Sequence, residues 1–219
     1  MAAPLEDTLV GGYTRLAAET PRRRIDVELR LLDVLFSAVF GIVLLPVAAL
    51  IALAIALSDG LPILYRGERV GRHGHFFSIV KFRTLRRDAE SRLGPYLGEE
   101  LVRRTEAEYT RLGRRLKASQ LDEIPQLWNV LRGEMSFVGP RPIRARFFAE
   151  LVHELPAYWQ RLVVRPGLTG LAQMRRGYET SMAEKLAHDL EWIADRSTPL
   201  YLRTLFVTAV RVLRQTIGR

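Results

Sequence analysis

The strongest pattern along the chain is an uncharged, almost wholly apolar run over residues 34–57. As a helix its 24 residues reach about 36 Å against a hydrocarbon core of about 30 Å, so the run belongs in a bilayer. It starts too late and runs too long for a cleaved signal peptide, and no small-residue cleavage site follows it. Arg22, Arg23, Arg24 and Arg30 precede it, and Arg66, Arg69, Arg72 and Lys81 follow it. The cytoplasmic preference of basic flanks therefore draws both ends to the same side. Pro46, near the middle, removes one backbone hydrogen bond and clashes with the preceding turn, which favours a break or kink there. A re-entrant helix that enters and leaves through one face reconciles the flanks with the proline. An ordinary kinked transmembrane helix stands beside it as the alternative.

Beyond this run the pattern becomes short and mixed. Residues 63–66 and 76–82 are rich in β-formers, and the Gly71-Arg72-His73-Gly74-His75 stretch between them carries turn chemistry, which predicts a β-hairpin. His73 and His75 lack further ligands nearby and are read as turn residues rather than a metal site. Residues 86–117 are densely charged, as a solvated helical face is. In residues 119–133, Pro125 fits a first helical turn and Gly133 a stop, placing a helix start near Asp122. Ile124, Leu127, Trp128 and Leu131 then form its buried face, with Asp122, Gln126 and Asn129 opposite. Near the C-terminus, Leu202, Leu205, Phe206, Ala209, Val210, Leu213 and Ile217 share one arc, suiting a helix on an acidic membrane surface or against a core. Residues 1–20 show no periodicity and read as a loosely ordered tail.

Charge narrows the partners without choosing among them. The 219 residues carry a formal charge of +9, which calls for nucleic acid, an acidic membrane or a phosphorylated substrate. With no cysteine, disulfide scaffolds, thiolate zinc sites and cysteine nucleophiles are excluded. No Walker-type glycine loop or dinucleotide fingerprint is present.

The chemistry-bearing residues lie between positions 81 and 170. Asp122 and Glu123 form an acid pair, in which Asp122, in a first helical turn, is expected to be held ionised as a nucleophile or metal ligand. Ser119-x-x-Asp122 equally resembles a helix-capping box. In Ser136-Phe137-Val138-Gly139-Pro140-Arg141-Pro142, two prolines stiffen the backbone around Arg141, so its guanidinium can meet phosphate oxygens at little entropic cost. Arg165-Pro166-Gly167-Leu168-Thr169-Gly170 repeats the device. Strand alternation places Lys81 and Arg83 on one side. Each of these cations alone is also an ordinary surface arginine or lysine; together with the acid pair they suit metal-assisted phosphoryl transfer.

The ordered series Lys81-Phe82-Arg83-Thr84, residues 121–129, 133–142 and 165–173 resembles the bacterial sugar transferases, the monotopic phosphoglycosyl transferases acting on polyprenyl phosphate. The resemblance runs from about Arg30 to the C-terminal helix. It implies an α+β, mainly helical fold: a tail over residues 1–24, a re-entrant membrane helix over 25–60 broken at Pro46, and a small cytoplasmic catalytic domain over 61–219 with a β-hairpin and amphipathic interfacial helices. It further implies Mg2+, a UDP-sugar donor, a polyprenyl phosphate acceptor in the bacterial inner membrane, and attack by Asp122 on the β-phosphorus with UMP leaving. Asp122 and Glu123 would hold the metal. Lys81, Arg83, Gln126, Asn129, Arg141 and Arg165 would contact phosphate or nucleotide, and Arg30 and Asp33 match the polar positions that open the membrane helix. Leu45 before Pro46, Lys117, Gln120, Leu171 and Arg175-Arg176-Gly177 depart from the usual family pattern.

A non-catalytic membrane-surface anchor for a glycan-assembly partner also accounts for the apolar run and the arginines, though not for the acid pair. Nucleic-acid binding ranks last, since it leaves the bilayer segment without a role. The sugar, the downstream glycan and a homodimer are all left open.

Overall fold

A computed structural model describes residues 23–93, 98–175 and 181–217. Residues 1–22 of the tail and the Arg176-Gly177 departure lie outside the described residues. The fold is α+β and mainly helical, with one long apolar helix at its start.

That helix, α1 (Ile25–Ser58), has 34 residues and is about 51 Å long. Pro46 does not interrupt the helix: a proline removes a single N–H, and the flanking bonds carry the helix across. Both ends of α1 rest on the rest of the molecule. Near its start Leu29 and Asp33 are buried, and Phe36 packs edge-on to Phe137 and parallel to Tyr201. Near its end Ile51 and Ile55 pack with Phe82 and Leu116. Between residues 38 and 50 only Gly41, Leu44 and Ala48 are half-buried, and all the rest are exposed.

The predicted hairpin forms from β1 (Leu64–Val70) and β2 (Phe76–Phe82), paired antiparallel with Tyr65 opposite Lys81 and Arg69 opposite Phe77. A short 3-10 turn, Arg72–Gly74, joins them, and His73 takes φ 63 there, so it serves the turn. After β2 the chain runs back to back with residues 108–110: Thr110 N–H donates to Thr84 O at 3.0 Å and Arg86 N–H to Glu108 O at 2.9 Å. Two helices, α2 (Ala89–Leu93) and α3 (Gly98–Glu108), carry the charged surface, with Arg92 and Glu108 paired at 2.7 Å. Helix α4 (Arg111–Ser119) follows, capped by Thr110.

Helix α5 (Gln126–Arg132) begins later than the pattern predicts. Pro125 has no N–H to give to Leu121 O, so that carbonyl is taken by Ile124 N–H at 3.3 Å and residues Leu121–Glu123 tighten into a 3-10 turn. Its burial also differs. Leu127 and Val130 are buried as a core face, but Trp128 is 58% exposed, while Gln126 and Asn129 are buried. Asn129 faces β2 and replaces a missing strand there: its Oδ1 accepts from Val80 N–H and its Nδ2 donates to Ser78 O. The polar side of α5 is thus covered, and Trp128 is left projecting outward.

The second sheet is a parallel pair, β3 (Ser136–Val138) and β4 (Gly167–Thr169), which the pattern did not predict. Helix α6 (Ala145–Glu154) and a 3-10 helix (Pro156–Val163) lie between them, and α7 (Leu171–Arg175), α8 (Met182–Asp195) and α9 (Thr198–Ile217) complete the chain. The arc predicted on α9 splits in two. Tyr201, Thr204 and Leu205 pack inward, while Leu202, Phe206 and Leu213 stay exposed, so α9 has both a core face and an outer apolar face.

Candidate active site

The acid pair sits on the 3-10 turn between α4 and α5, where Gln120 with φ 59 redirects the chain. Asp122 is only 2% exposed, and its Oδ1 has no hydrogen-bond partner; Oδ2 lies 4.0 Å from Lys117 Nζ. Burial pushes its carboxyl above the ordinary aspartate range, Lys117, Lys81 and Arg141 oppose this, and Glu123 adds to it. This reverses the expectation that a helix terminus holds Asp122 ionised, because the helix starts four residues later and its N–H groups do not reach the carboxylate.

Glu123 is the opposite case. One oxygen, Oε1, accepts from Lys81 Nζ at 2.6 Å and lies 3.7 Å from Arg141 Nη2. Burial alone would raise this carboxyl, but Arg141, Lys81 and Lys117 outweigh it and bring it down to about 2. Lys81, on β2, is lowered by the same burial and supported by Glu123. Arg141 is itself held from behind. Its carbonyl accepts from Arg161 Nη2 at 2.9 Å, and Arg161 is fixed by a buried 2.7 Å ion pair with Asp189 of α8.

The two motif loops are interlocked. Gly139 N–H donates to Thr169 O and Gly167 N–H to Pro140 O, both at 2.9 Å. A Cβ on Gly167 would lie 2.1 Å from Gly139 N, and one on Gly139 would lie 2.4 Å from Arg165 O, so only glycine permits this approach. The second loop therefore braces the first.

Asp122 forms part of the wall of a cavity of about 650 Å³ between the hairpin, the segment after it and α4. Among the described residues its lining holds eight arginines and lysines, including Arg66, Arg69, Lys81, Arg86, Lys117 and Arg144, against Asp88 and Asp122. Tyr65 and Tyr109 line it as well. Sequence reasoning used Arg66 and Arg69 only as flanking charge and left Tyr65, Arg86, Arg87, Tyr109 and Arg144 unassigned. The usable signal was the alternation of Tyr65, Gly67 and Arg69 on the β1 face paired with Lys81.

Several predicted contacts prove to be structural. Arg83 lines the cavity, yet its Nε donates to Pro62 O and its Nη2 to Asp59 O and Gly60 O, so it fastens the end of α1 rather than presenting a free fork. Arg165 is not brought to Asp122; its Nε donates to Gly133 O, and it faces Arg30 and Asp33 in a small separate cavity. Arg30 donates to Val130 O and Leu131 O, closing the C-terminal end of α5, while Asp33 accepts from Ser136, Phe137 and Tyr201. Asn129 is consumed by β2 and Glu134. Gln126 is buried outside the cavity wall, with its Nε2 unpartnered.

The cavity lining thus offers an anion many cations and, at Asp122, a buried carboxylate with one unpartnered oxygen. The profile of one family, described as bacterial sugar transferase, matches residues 26–215 of this chain. The chain belongs to that family. It is 39% identical over 194 residues to the UDP-glucose:undecaprenyl-phosphate glucose-1-phosphate transferase of Caulobacter vibrioides, covering 84% of this chain and 71% of that protein. Its likeness to the exopolysaccharide production protein PSS of Rhizobium leguminosarum bv. phaseoli is 36%, over 86% of this chain and 96% of that one. The undecaprenyl-phosphate glucose phosphotransferase of Komagataeibacter xylinus is 36% identical over 84% of this chain, which spans 36% of that longer relative. The family match takes in both the apolar helix and the acid pair.

Proposed function

We propose that this phosphoglycosyl transferase moves a sugar 1-phosphate from a UDP-sugar to polyprenyl phosphate at the bacterial inner membrane, through a covalent intermediate on Asp122. The names of the relatives, which act on undecaprenyl phosphate with glucose or N-acetylgalactosamine phosphates, support the overall transfer. The observation that carries the mechanism is the unpartnered Oδ1 of a buried Asp122 in the wall of a cation-lined cavity.

The diphosphate of the donor enters among the cavity's cations, which offset its charge and orient it. A carboxylate oxygen of Asp122 attacks the β-phosphorus, the bond from that phosphorus to the bridging oxygen breaks, and UMP leaves with the electron pair. An oxygen of the lipid phosphate then attacks the same phosphorus, the bond to Asp122 breaks, and the carboxylate is regenerated with the sugar joined to the lipid through a diphosphate. Lys81, in the cavity wall, would stabilise charge on the phosphoryl oxygens, and Arg141, which lies outside that wall, would act through the Glu123 carboxylate it shares with Lys81. The orphaned Oδ1 of Asp122 and the carboxylate of Glu123 offer oxygens of the kind magnesium takes alongside phosphates and water. When bound, the ion would neutralise charge on the transferring phosphate.

Purified protein in detergent, given a panel of UDP-sugars without acceptor, should release a burst of UMP and gain the mass of a sugar phosphate. Asp122→Asn should do neither, since a neutral amide forms no acyl phosphate. Near-normal turnover in that variant removes Asp122 from the nucleophile role, and silence of the native protein across the panel favours an anchor without catalysis.

A further inference from the structure

Helix α4 runs from the far end of the apolar α1 to the nucleophile. Asp59, one residue beyond α1, accepts from Thr110 Oγ1 at 2.9 Å, and the same Thr110 oxygen caps α4 by accepting from Gly113 N–H at 2.8 Å. Leu116 is buried and Leu112 half-buried against Ile51 and Ile55 of α1. Gly113 presses directly on the neighbouring backbone, since a Cβ there would lie 1.9 Å from Thr84 O. The helix is therefore fixed at the level where the apolar segment ends, and its other end leads within three residues to Asp122.

Along it Arg111, Arg114 and Lys117 recur at i, i+3 and i+6, a spacing that sets them near one another on the helix surface. Lys117 is the cation beside Asp122. Arg111, Arg114 and Arg115 line a second cavity, of about 1040 Å³, whose rim includes Ser58 and Asp59. This cavity shares Arg86 and Tyr109 with the one that holds Asp122, so the two adjoin. Among the described residues its single carboxylate is Asp59, already bonded to Thr110. The neighbouring Leu53, Leu57 and Leu61 are exposed apolar surface.

We propose that this arginine-lined groove captures the phosphate head of the lipid acceptor at the membrane surface and hands it along Arg114 and Lys117 to Asp122. The inference rests on the phosphosugar-transfer reading above. A soluble nucleotide has no need of a site at the end of an apolar helix, whereas a lipid phosphate is confined to that level. A bulk anionic phospholipid shares the chemistry, but the continuity with the Asp122 cavity favours the acceptor.

The two half-reactions separate these readings. In nanodiscs of neutral lipid, Arg114→Gln combined with Arg115→Gln should leave the acceptor-free burst of UMP within about twofold of native, because neither residue lines the donor cavity. With polyprenyl phosphate present, the acceptor KM should rise roughly tenfold or more, as expected for lost charge-assisted contacts. An unchanged acceptor KM overturns the proposal, and so does loss of the burst in the double variant, which would assign these arginines to the donor. If the double variant keeps the native acceptor KM yet loses retention on phosphatidylglycerol vesicles, the groove holds bulk lipid and the proposal is wrong. Absence of a burst in the native protein instead defeats the underlying transfer reading.

Discussion

Glu123 gathers Lys81 and Arg141 on one oxygen, and Asp122 beside it is left with an oxygen that bonds to nothing. The consequences for pH are opposite in sign. Glu123 is held at about 2, so the stability it contributes is fully present above the unfolded carboxylate value and is lost as pH falls through about 2. Asp122 is raised by burial, so its ionised form costs stability at neutral pH, and that cost vanishes below its unfolded value. Asp122→Asn should therefore melt no lower than native at neutral pH, and the two melting curves should converge on acidification. A clearly lower melting temperature would show that the ionised carboxylate is stabilising. On the proposed mechanism, UMP release by the native protein should fail on the acid side at a pH above the ordinary aspartate range, since Asp122 must be ionised to attack. For Glu123→Gln, which removes the charge shared by Lys81 and Arg141 and an anionic oxygen, activity should drop about tenfold or more and the magnesium titration should shift upward. An unmoved titration would leave Glu123 as a holder of cations alone. The acid pair stood out in the sequence only beside the Arg141 loop and the family resemblance, because alone Ser119-x-x-Asp122 equally reads as a helix cap. Arg83, Arg165 and Asn129 misled because a sequence displays donors without showing the carbonyls that consume them.

At the level of elements, β3 and β4 with their two loops form one brace, each loop closing on the other's backbone. Gly167→Ala puts a methyl group where Gly139 N already sits at 2.1 Å, and neither neighbour is a flexible side-chain end. The substitution should destabilise the protein by about 3 kcal/mol, as overpacking of rigid backbone does, and should lower activity through misplacement of Arg141. Chemical denaturation with a loss under about 0.5 kcal/mol would mean the loops can part freely. The hairpin and the C-terminal helix were readable because strand and helix periods are local. The parallel pairing was not, since three residues a side leave no period, and two Pro-Gly loops read singly both look like phosphate-presenting turns. Trp128 was misplaced for a related reason: helical spacing marks an apolar face but cannot say that β2 covers the polar one.

Across the whole molecule, the decisive arrangement is that α1 begins and ends on the same body while its middle stands almost bare. The start is fixed by Arg30 and Asp33, and the end by Arg83 and by the packing of Ile51 and Ile55. A straight crossing of the bilayer would carry one of these anchored ends to the opposite face, away from the body it is bonded to. We therefore predict that the helix bends at Pro46 in the bilayer, so that the exposed residues 38–50 enter one leaflet while both anchored ends stay with the body. Arg24 and Arg72 should then lie on the same, cytoplasmic side. The native chain has no cysteine, so single cysteines placed at positions 24 and 72 give clean probes for a membrane-impermeant thiol reagent on intact cells. Both should be protected until the cells are opened. Pro46→Leu restores the missing backbone bond and favours a straighter helix long enough to span, so position 24 should become labelled from outside in part of the population. Labelling of position 24 in the chain with its native Pro46 would show that the helix spans and that the bend does not return it. Protection that persists in Pro46→Leu would place the turning force in the anchored ends instead, with Arg30 and Arg83 the next residues to release.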